Sequence, residues 1–343
     1  MKKFMLIVTI VCLAAMVAGL CGCTACSREM MFESSSTPVE QLPQKSAVEL
    51  PEEKPVFEPE TEIEVEEEPI ELPPLPMTAD FEALAEINNE SVLWGPGVHK
   101  DEQGRSTACV DLQEKYGKYD AFFIAPAEGN SITLSFDQGY ENGYTAPILD
   151  ALKEKEVKAI FFLTGHYVRT QPELVQRMID EGHILGSHSD AHAVYCKDLT
   201  PEQSFEDAMW MQQHLRDNFD YEMRLFRFPE GEFSEQSLSL MQQLGYKSVF
   251  WSFAYNDWNV NAQPDPQEAI EKITSFLHPG EIMLLHSVSS TNAQILPEVI
   301  DIIIDKGYEL TPFVEMTYIE ADTEEPKEKE SIVIDDAFGK TEN

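Results

Sequence analysis

The sequence predicts an α/β fold built on a parallel sheet, and three features predict it. Short apolar runs bounded by turn residues recur at 131–136, 158–163, 183–187, 224–228, 247–252 and 281–285, each of a length that suits a buried strand. Stretches with apolar residues at helical spacing fall between them, giving the alternation of strand and helix that a parallel sheet requires. Side chains able to do chemistry stand at the ends of five of the runs. In an open doubly wound sheet and in a closed barrel alike, function gathers at the carboxyl ends of strands. The pattern alone leaves those two architectures open.

From the N-terminus, Lys2 and Lys3 precede an apolar run from Phe4 to Leu20, the order of a secretory signal peptide. The run ends in Leu20-Cys21-Gly22-Cys23, similar to the lipobox of bacterial lipoproteins. Residues 1–23 are therefore expected to be a leader, with Cys23 as the residue that anchors the chain to the membrane. Ordinary cleavage and an uncleaved anchor helix are the alternatives, and all three place the body outside the cytoplasm. Residues 24–77 lack hydrophobic periodicity and are rich in Pro and Glu, as in Glu62-Ile63-Glu64-Val65-Glu66-Glu67-Glu68-Pro69. Such a stretch buries too little apolar surface to offset its ordering entropy, and reads as a disordered tether. Residues 78–130, with Trp94, Gly95-Pro96-Gly97 and His99, are expected to wrap the body, 131–316 to form it, and 317–343 to be a second acidic tail.

The chain carries 24 basic and 62 acidic side chains, a net charge of -38. Phosphate-rich partners are repelled at long range, which excludes nucleic-acid binding. Of 6 cysteines only Cys109 and Cys196 lie in the body; this is no disulfide framework, and both are expected to be unpaired.

Within the body, Thr200-Pro201-Glu202-Gln203 is a capping box with Pro at the first helical position, followed by Phe205, Ala208, Met209 and Leu215 at helical spacing. Residues 172–179 and 234–244 fit the same template. At the strand ends stand Asp137-Gln138, His188 with His192, Arg227 with Pro229, Asp257-Trp258, and His286. Two histidines at i and i+4 are by themselves a weak sign of a metal, since a lone His is more often a satisfied structural residue.

Taken together, the motifs resemble those of the NodB-homology polysaccharide deacetylases, carbohydrate esterase family four, over residues 131–313. Ser135-Phe136-Asp137-Gln138-Gly139 stands where the family has Thr-Phe-Asp-Asp-Gly, and His188-Ser189-Asp190-Ala191-His192 matches its His-Ser/Thr-x-x-His. Arg227-Phe228-Pro229-Glu230-Gly231, Asp257-Trp258 and Leu284-Leu285-His286 follow in family order. The phrases Gly139-Tyr140-Glu141-Asn142-Gly143-Tyr144-Thr145 and Phe161-Phe162-Leu163-Thr164-Gly165-His166-Tyr167 are similar to the branch of delta-lactam-biosynthetic peptidoglycan de-N-acetylases. The resemblance implies a distorted (β/α) barrel, TIM-like with fewer strands, acting on N-acetylated glycan, with N-acetylmuramic acid of peptidoglycan favoured, as a monomer.

It also implies roles. His188 and His192 would hold a divalent metal, Zn²⁺ first with Co²⁺ or Mn²⁺ as alternatives. Asp137 would be the general base, Arg227 would keep it ionised, His286 would be the general acid, and the backbone N–H of Glu230, after Pro229, would stabilise the oxyanion. Pro229, Glu230, Trp258 and Tyr140 are assigned to the substrate, with core packing as the alternative for Trp258. Three departures matter. Gln138 replaces the second acid of the first motif and becomes a neutral, questionable third metal ligand. Phe228 replaces a Pro and is expected to reshape a groove wall. Ser252 stands where many members have the acid that tunes the general-acid His, which leaves Asp257 as the nearby substitute. His166 has a site-facing and a structural reading. The competing functions are a metal-poor protein that only binds wall glycan, and a deacetylase of another polymer.

Overall fold

In the computed structural model residues 73–126 and 129–312 are described, and the leader, most of the tether and the acidic tail fall outside them. The sheet strands are β1 (Ala121–Phe122), β2 (Ser131–Gln138), β3 (Ile160–Leu163), β4 (Ile184–Ser187), β5 (Leu225–Phe226), β6 (Lys247–Val249), β7 (Glu281–His286) and β8 (Glu309–Leu310). All are paired in parallel, in the order β8-β2-β3-β4-β5-β6-β1, with β7 also paired to β2. The sheet curls on itself, and its ends approach at the parallel bridge Phe253–Met283 and the bond from Ala125 N to Gly280 O (2.9 Å). This is the incomplete barrel that the family resemblance implies.

The apolar runs supply β2 to β7; β2 and β7 extend past their runs to Gln138 and His286, and the other four are trimmed. The fourth run shortens to Leu225–Phe226, so Arg227 sits just beyond the strand. The edge strands β1 and β8 were not foreseen, because two residues each carry no periodic signal. A small antiparallel pair, Val92–Leu93 with Glu232–Phe233, escaped for the same reason.

Around the sheet pack α1 (Thr107–Tyr116), α2 (Thr145–Glu154), α3 (Pro172–Asp180), α4 (Pro201–Phe219), α5 (Glu235–Leu244), α6 (Pro266–Thr274) and α7 (Ser290–Asp305). Their starts follow from capping chemistry. Thr200 accepts from Gln203 N while the Gln203 side chain accepts from Thr200 N, and Pro201 occupies a position whose missing N–H costs nothing. Ser234 and Ser237 form the same reciprocal pair before α5. The core between helices and sheet is strongly aromatic: Phe136 stacks on Phe161 at 5.1 Å and Phe123 on Phe250 at 4.2 Å. Phe228 belongs to this core and not to the groove wall; it is fully buried against Phe226, Phe233 and Phe250. A large ring gains more from apolar burial than from the water-facing edge its motif position suggested. Cys109 and Cys196 are free thiols. No helix among the described residues is long and apolar enough to cross a membrane.

Candidate active site

The penultimate residue of β2 presents the first functional group. Asp137 Oδ1 accepts from Arg227 Nη1 at 2.8 Å. Arg227 is fully buried, and its other donors are spoken for: Nη2 donates to Ser135 Oγ (2.9 Å) and Phe250 O (3.1 Å), and Nε to Val249 O (3.0 Å). Its guanidinium also lies 4.0 Å over the Phe162 ring. A buried cation is tolerated only when paired and hydrogen-bonded in this way. Burial opposes ionisation of Asp137, but the charge and hydrogen bond of Arg227, with His286 adding to them, outweigh it and hold the carboxyl below the usual carboxylate range.

Opposite stands His286, the last residue of β7. Its Nδ1 lies 2.7 Å from Asp257 Oδ1, and its backbone N donates to Asp257 Oδ2 (2.7 Å). Asn292 Nδ2 donates to the same Oδ2 at 2.6 Å and to His286 O at 3.1 Å, which locks Asp257 in place. Burial would pull His286 down, yet the hydrogen bond and charge of Asp257 prevail and raise it above the ordinary imidazole range. With Nδ1 engaged by Asp257, Nε2 is left for the cleft. Ser252, where the family often places this acid, instead accepts from Ile282 N (3.1 Å) as a backbone brace. A group that must be protonated to act loses activity as pH rises through its pKa. Removing Asp257's charge should therefore bring the alkaline limb of the activity profile to lower pH. For Asp257→Asn, kcat measured across pH is expected to show that limb displaced downward by about one unit or more; an unmoved limb would disprove the coupling.

His188 and His192 follow β4. Their rings lie 4.9 Å apart and nearly perpendicular, at 82°. The backbone O of Arg227 sits 2.8 Å from His188 Nδ1; a carbonyl can only accept, so Nδ1 carries the proton and Nε2 keeps its lone pair. Burial pulls His188 down to about 4, which keeps it neutral. This is the tautomer a metal ligand needs. Nε2 is 3.5 Å from Asp137 Oδ2. The loop between the histidines holds Ser189 and His192 in left-handed conformation, φ 68 and 56°. Asp207, on α4, ties that loop down: it accepts from Ser189 Oγ (3.2 Å), Asp190 N (2.9 Å) and Tyr195 OH (2.6 Å). Gly165 is needed beside it, since a Cβ there would come within 1.8 Å of Asp190 Oδ1.

A divalent cation fits the two imidazoles. Gln138 fits less well: it is fully buried and does not line the cleft. Its Nε2 donates to Ser287 Oγ at 2.8 Å, while Oε1 has no protein partner. Strand alternation explains this, because Asp137 and its successor point to opposite faces of β2. Among the described residues no three His, Cys, Asp or Glu side chains surround a common metal position.

Asp137, His188, His192 and His286 all line one cleft of about 1180 Å³, as do Glu230, Tyr140, Trp258 and His166. Trp258 and Tyr140 are exposed at its rim, 57% and 45% accessible, and present flat aromatic faces there. Pro229 is buried next to Glu230, and Arg227 and Asp257 are fully buried and do not line the cleft. Sequence reasoning missed Arg169, which lines the cleft, pairs with Asp190 at 2.6 Å and lies 4.3 Å over Trp210. It also missed Asp207 and Asn292. Arg169 follows closely on the Thr164-Gly165-His166 phrase, which was a usable signal; the other two sit on helices with nothing local to mark them.

A family model for polysaccharide deacetylase matches residues 125–249. The chain is 38% identical over 231 residues to the peptidoglycan-N-acetylmuramic acid deacetylase PdaA of Bacillus subtilis, covering 65% of this chain and 84% of that protein. The chain belongs to the polysaccharide deacetylase family. Solved relatives of this deacetylase include the same PdaA, a family 4 carbohydrate esterase, with a TM-score of 0.64 and 36% identity over 68% of this chain and 100% of that one. A family 4 carbohydrate esterase from Bacillus anthracis follows at a TM-score of 0.56 and 36% identity, over 68% and 98%.

Proposed function

We propose that this deacetylase removes the N-acetyl group from amino sugars of peptidoglycan, with N-acetylmuramic acid preferred, acting as a monomer outside the cytoplasm and anchored through Cys23. One observation carries the chemistry: a carboxylate held ionised by Arg227, Asp137, and an imidazole raised by Asp257, His286, line one cleft together with His188 and His192. Two titratable groups pushed apart in this way are a base and an acid. The substrate class is supported by the names of the relatives, PdaA and, at 30% identity, the peptidoglycan-N-acetylglucosamine deacetylase PgdA of Listeria monocytogenes.

In the reaction Asp137 takes a proton from the attacking water, and Arg227 holds the carboxylate in place. The Glu230 N–H donates to the oxyanion as the carbonyl becomes tetrahedral. His286 Nε2 then delivers a proton to the departing amine, and acetate and a free amino sugar result. His188 and His192 would hold a divalent cation, Zn²⁺ or alternatively Co²⁺ or Mn²⁺, which would supply Lewis acidity at the amide. Trp258 and Tyr140 stack on the sugar rings.

The test is acetate release from purified glycan strands, intact and stripped of peptide, with mass analysis of which sugar lost its acetyl. No acetate from either strand with Zn²⁺, Co²⁺ or Mn²⁺ supplied would end this reading. Chelation, or His188→Ala, is expected to lower the rate by about a hundredfold or more, the several kcal/mol of a Lewis acid; undiminished turnover would remove the metal assignment. Asp207→Ala should weaken Zn²⁺ binding about 10–100-fold by calorimetry, as loss of a ligand-orienting partner does. Equal affinity would show that the loop holds itself.

The seating of Gln138 on Ser287 favours a second reading, a metal-poor protein that binds wall glycan without turning it over. Metal content after purification in excess Zn²⁺ separates the two.

A further inference from the structure

The turn that presents the Glu230 amide contains two successive left-handed residues, Glu230 at φ 60° and Gly231 at φ 68°. For a non-glycine residue this costs about 1–2 kcal/mol and persists only where the surroundings enforce it. The enforcement comes from the N-terminal segment. Val92 and Leu93 pair antiparallel with Phe233 and Glu232, the strand that leaves the turn. Trp94 then clamps the turn itself. Its backbone N donates to Gly231 O at 3.0 Å, and its indole Nε1 donates to Trp251 O at 3.1 Å. Its ring is 6% exposed and meets Phe123 edge-on at 5.1 Å. A Cβ on Gly231 would stand 2.6 Å from Trp251 Cη2 and 3.4 Å from Trp94 Cβ, so the turn fits flush against the Trp251 indole and the Trp94 Cβ. Trp251 itself lines the cleft beside Glu230.

We propose that Trp94 is a positioning residue for the deacetylation: it fixes the Pro229–Gly231 turn so that the Glu230 N–H points to where the oxyanion forms. Residue 94 precedes the segment matched by the family model, 125–249, so the clamp is supplied from outside the matched body. The inference rests on the deacetylase reading above.

The full chain with Trp94→Phe keeps an aromatic ring against Phe123 and loses only the indole donor; Trp94→Ala loses both. Removing one oxyanion donor outright costs about 10²–10³ in kcat, so misaiming one should cost about tenfold in the Phe variant and more in the Ala variant, with KM little changed. The affinity of a methylphosphonamidate analogue of an N-acetylmuramic acid-containing glycan oligomer, which mimics the tetrahedral state, should fall by the same factor, while that of the deacetylated oligomer stays. Tm and circular dichroism report folding, and if the Ala variant does not fold the Phe variant decides. A folded Phe variant with unchanged kcat and unchanged analogue affinity overturns the proposal, as does an effect on KM alone. Absence of acetate release by the wild-type chain would instead strike the deacetylase reading itself.

Discussion

Asp137→Asn is expected to lower kcat for acetate release by about 10²–10⁴-fold, the usual worth of a general base, with KM within about twofold. The amide is isosteric and can still accept from Arg227, so cleft geometry should survive while the proton acceptor is gone. Tyr140, Trp258 and the other groups that line the cleft are left in place by the substitution. Single-turnover acetate release, with substrate binding measured separately, checks both halves. Should the variant keep more than a tenth of wild-type kcat, the base lies elsewhere. His286, the only other ionisable side chain of the proton-transfer pair, would then be the first to reconsider.

Arg227→Met should be the most destabilising single change, by about 3–5 kcal/mol, because it strands the buried Asp137 carboxylate. It also leaves Ser135 Oγ, Phe250 O and Val249 O without their donor. For a domain of this size the loss corresponds to a fall in Tm of roughly 6–20 °C. The pH dependence has a definite sign. Asp137 is held below the usual carboxylate range, so its contribution is present above the unfolded carboxylate pKa and disappears as pH falls through the folded one. In the variant burial acts on Asp137 without Arg227 to oppose it. The gap in stability between wild type and variant is therefore expected to be widest near neutral pH and to narrow in acid. Denaturant melts at two pH values test this, and a gap that widens in acid would show that the ion pair is not its source.

Much of the site was legible because its residues sit at strand ends in short contiguous phrases. Asp137, His188, Arg227 and His286 each follow or close an apolar run, and the parallel sheet brings all such ends to one side. The alternation of Asp137 and Gln138 across β2 was equally implicit in the strand period, and it sends the two neighbours to different surroundings. The role of Phe228 was misjudged because its motif place was weighed above its size, and the aromatic core around Phe226 and Phe250 claimed it.

What the sequence determined by itself was the alternation of strand and helix, the helix caps at Thr200 and Ser234, and the identity of the side chains delivered to the cleft. These depend on near neighbours in the chain, through backbone periodicity and local hydrogen bonds. Only the tertiary structure decided how those side chains are supported. Asp257 meets His286 29 residues away, Asp207 reaches back 18 residues to Ser189, and Trp94 grips a carbonyl of Trp251 across 157. Such contacts are set by which strands lie side by side and in what register, and no local pattern encodes that. The same register placed the Gln138 amide on Ser287, 149 residues later. The paired histidines could be read from the chain; the company they keep could not.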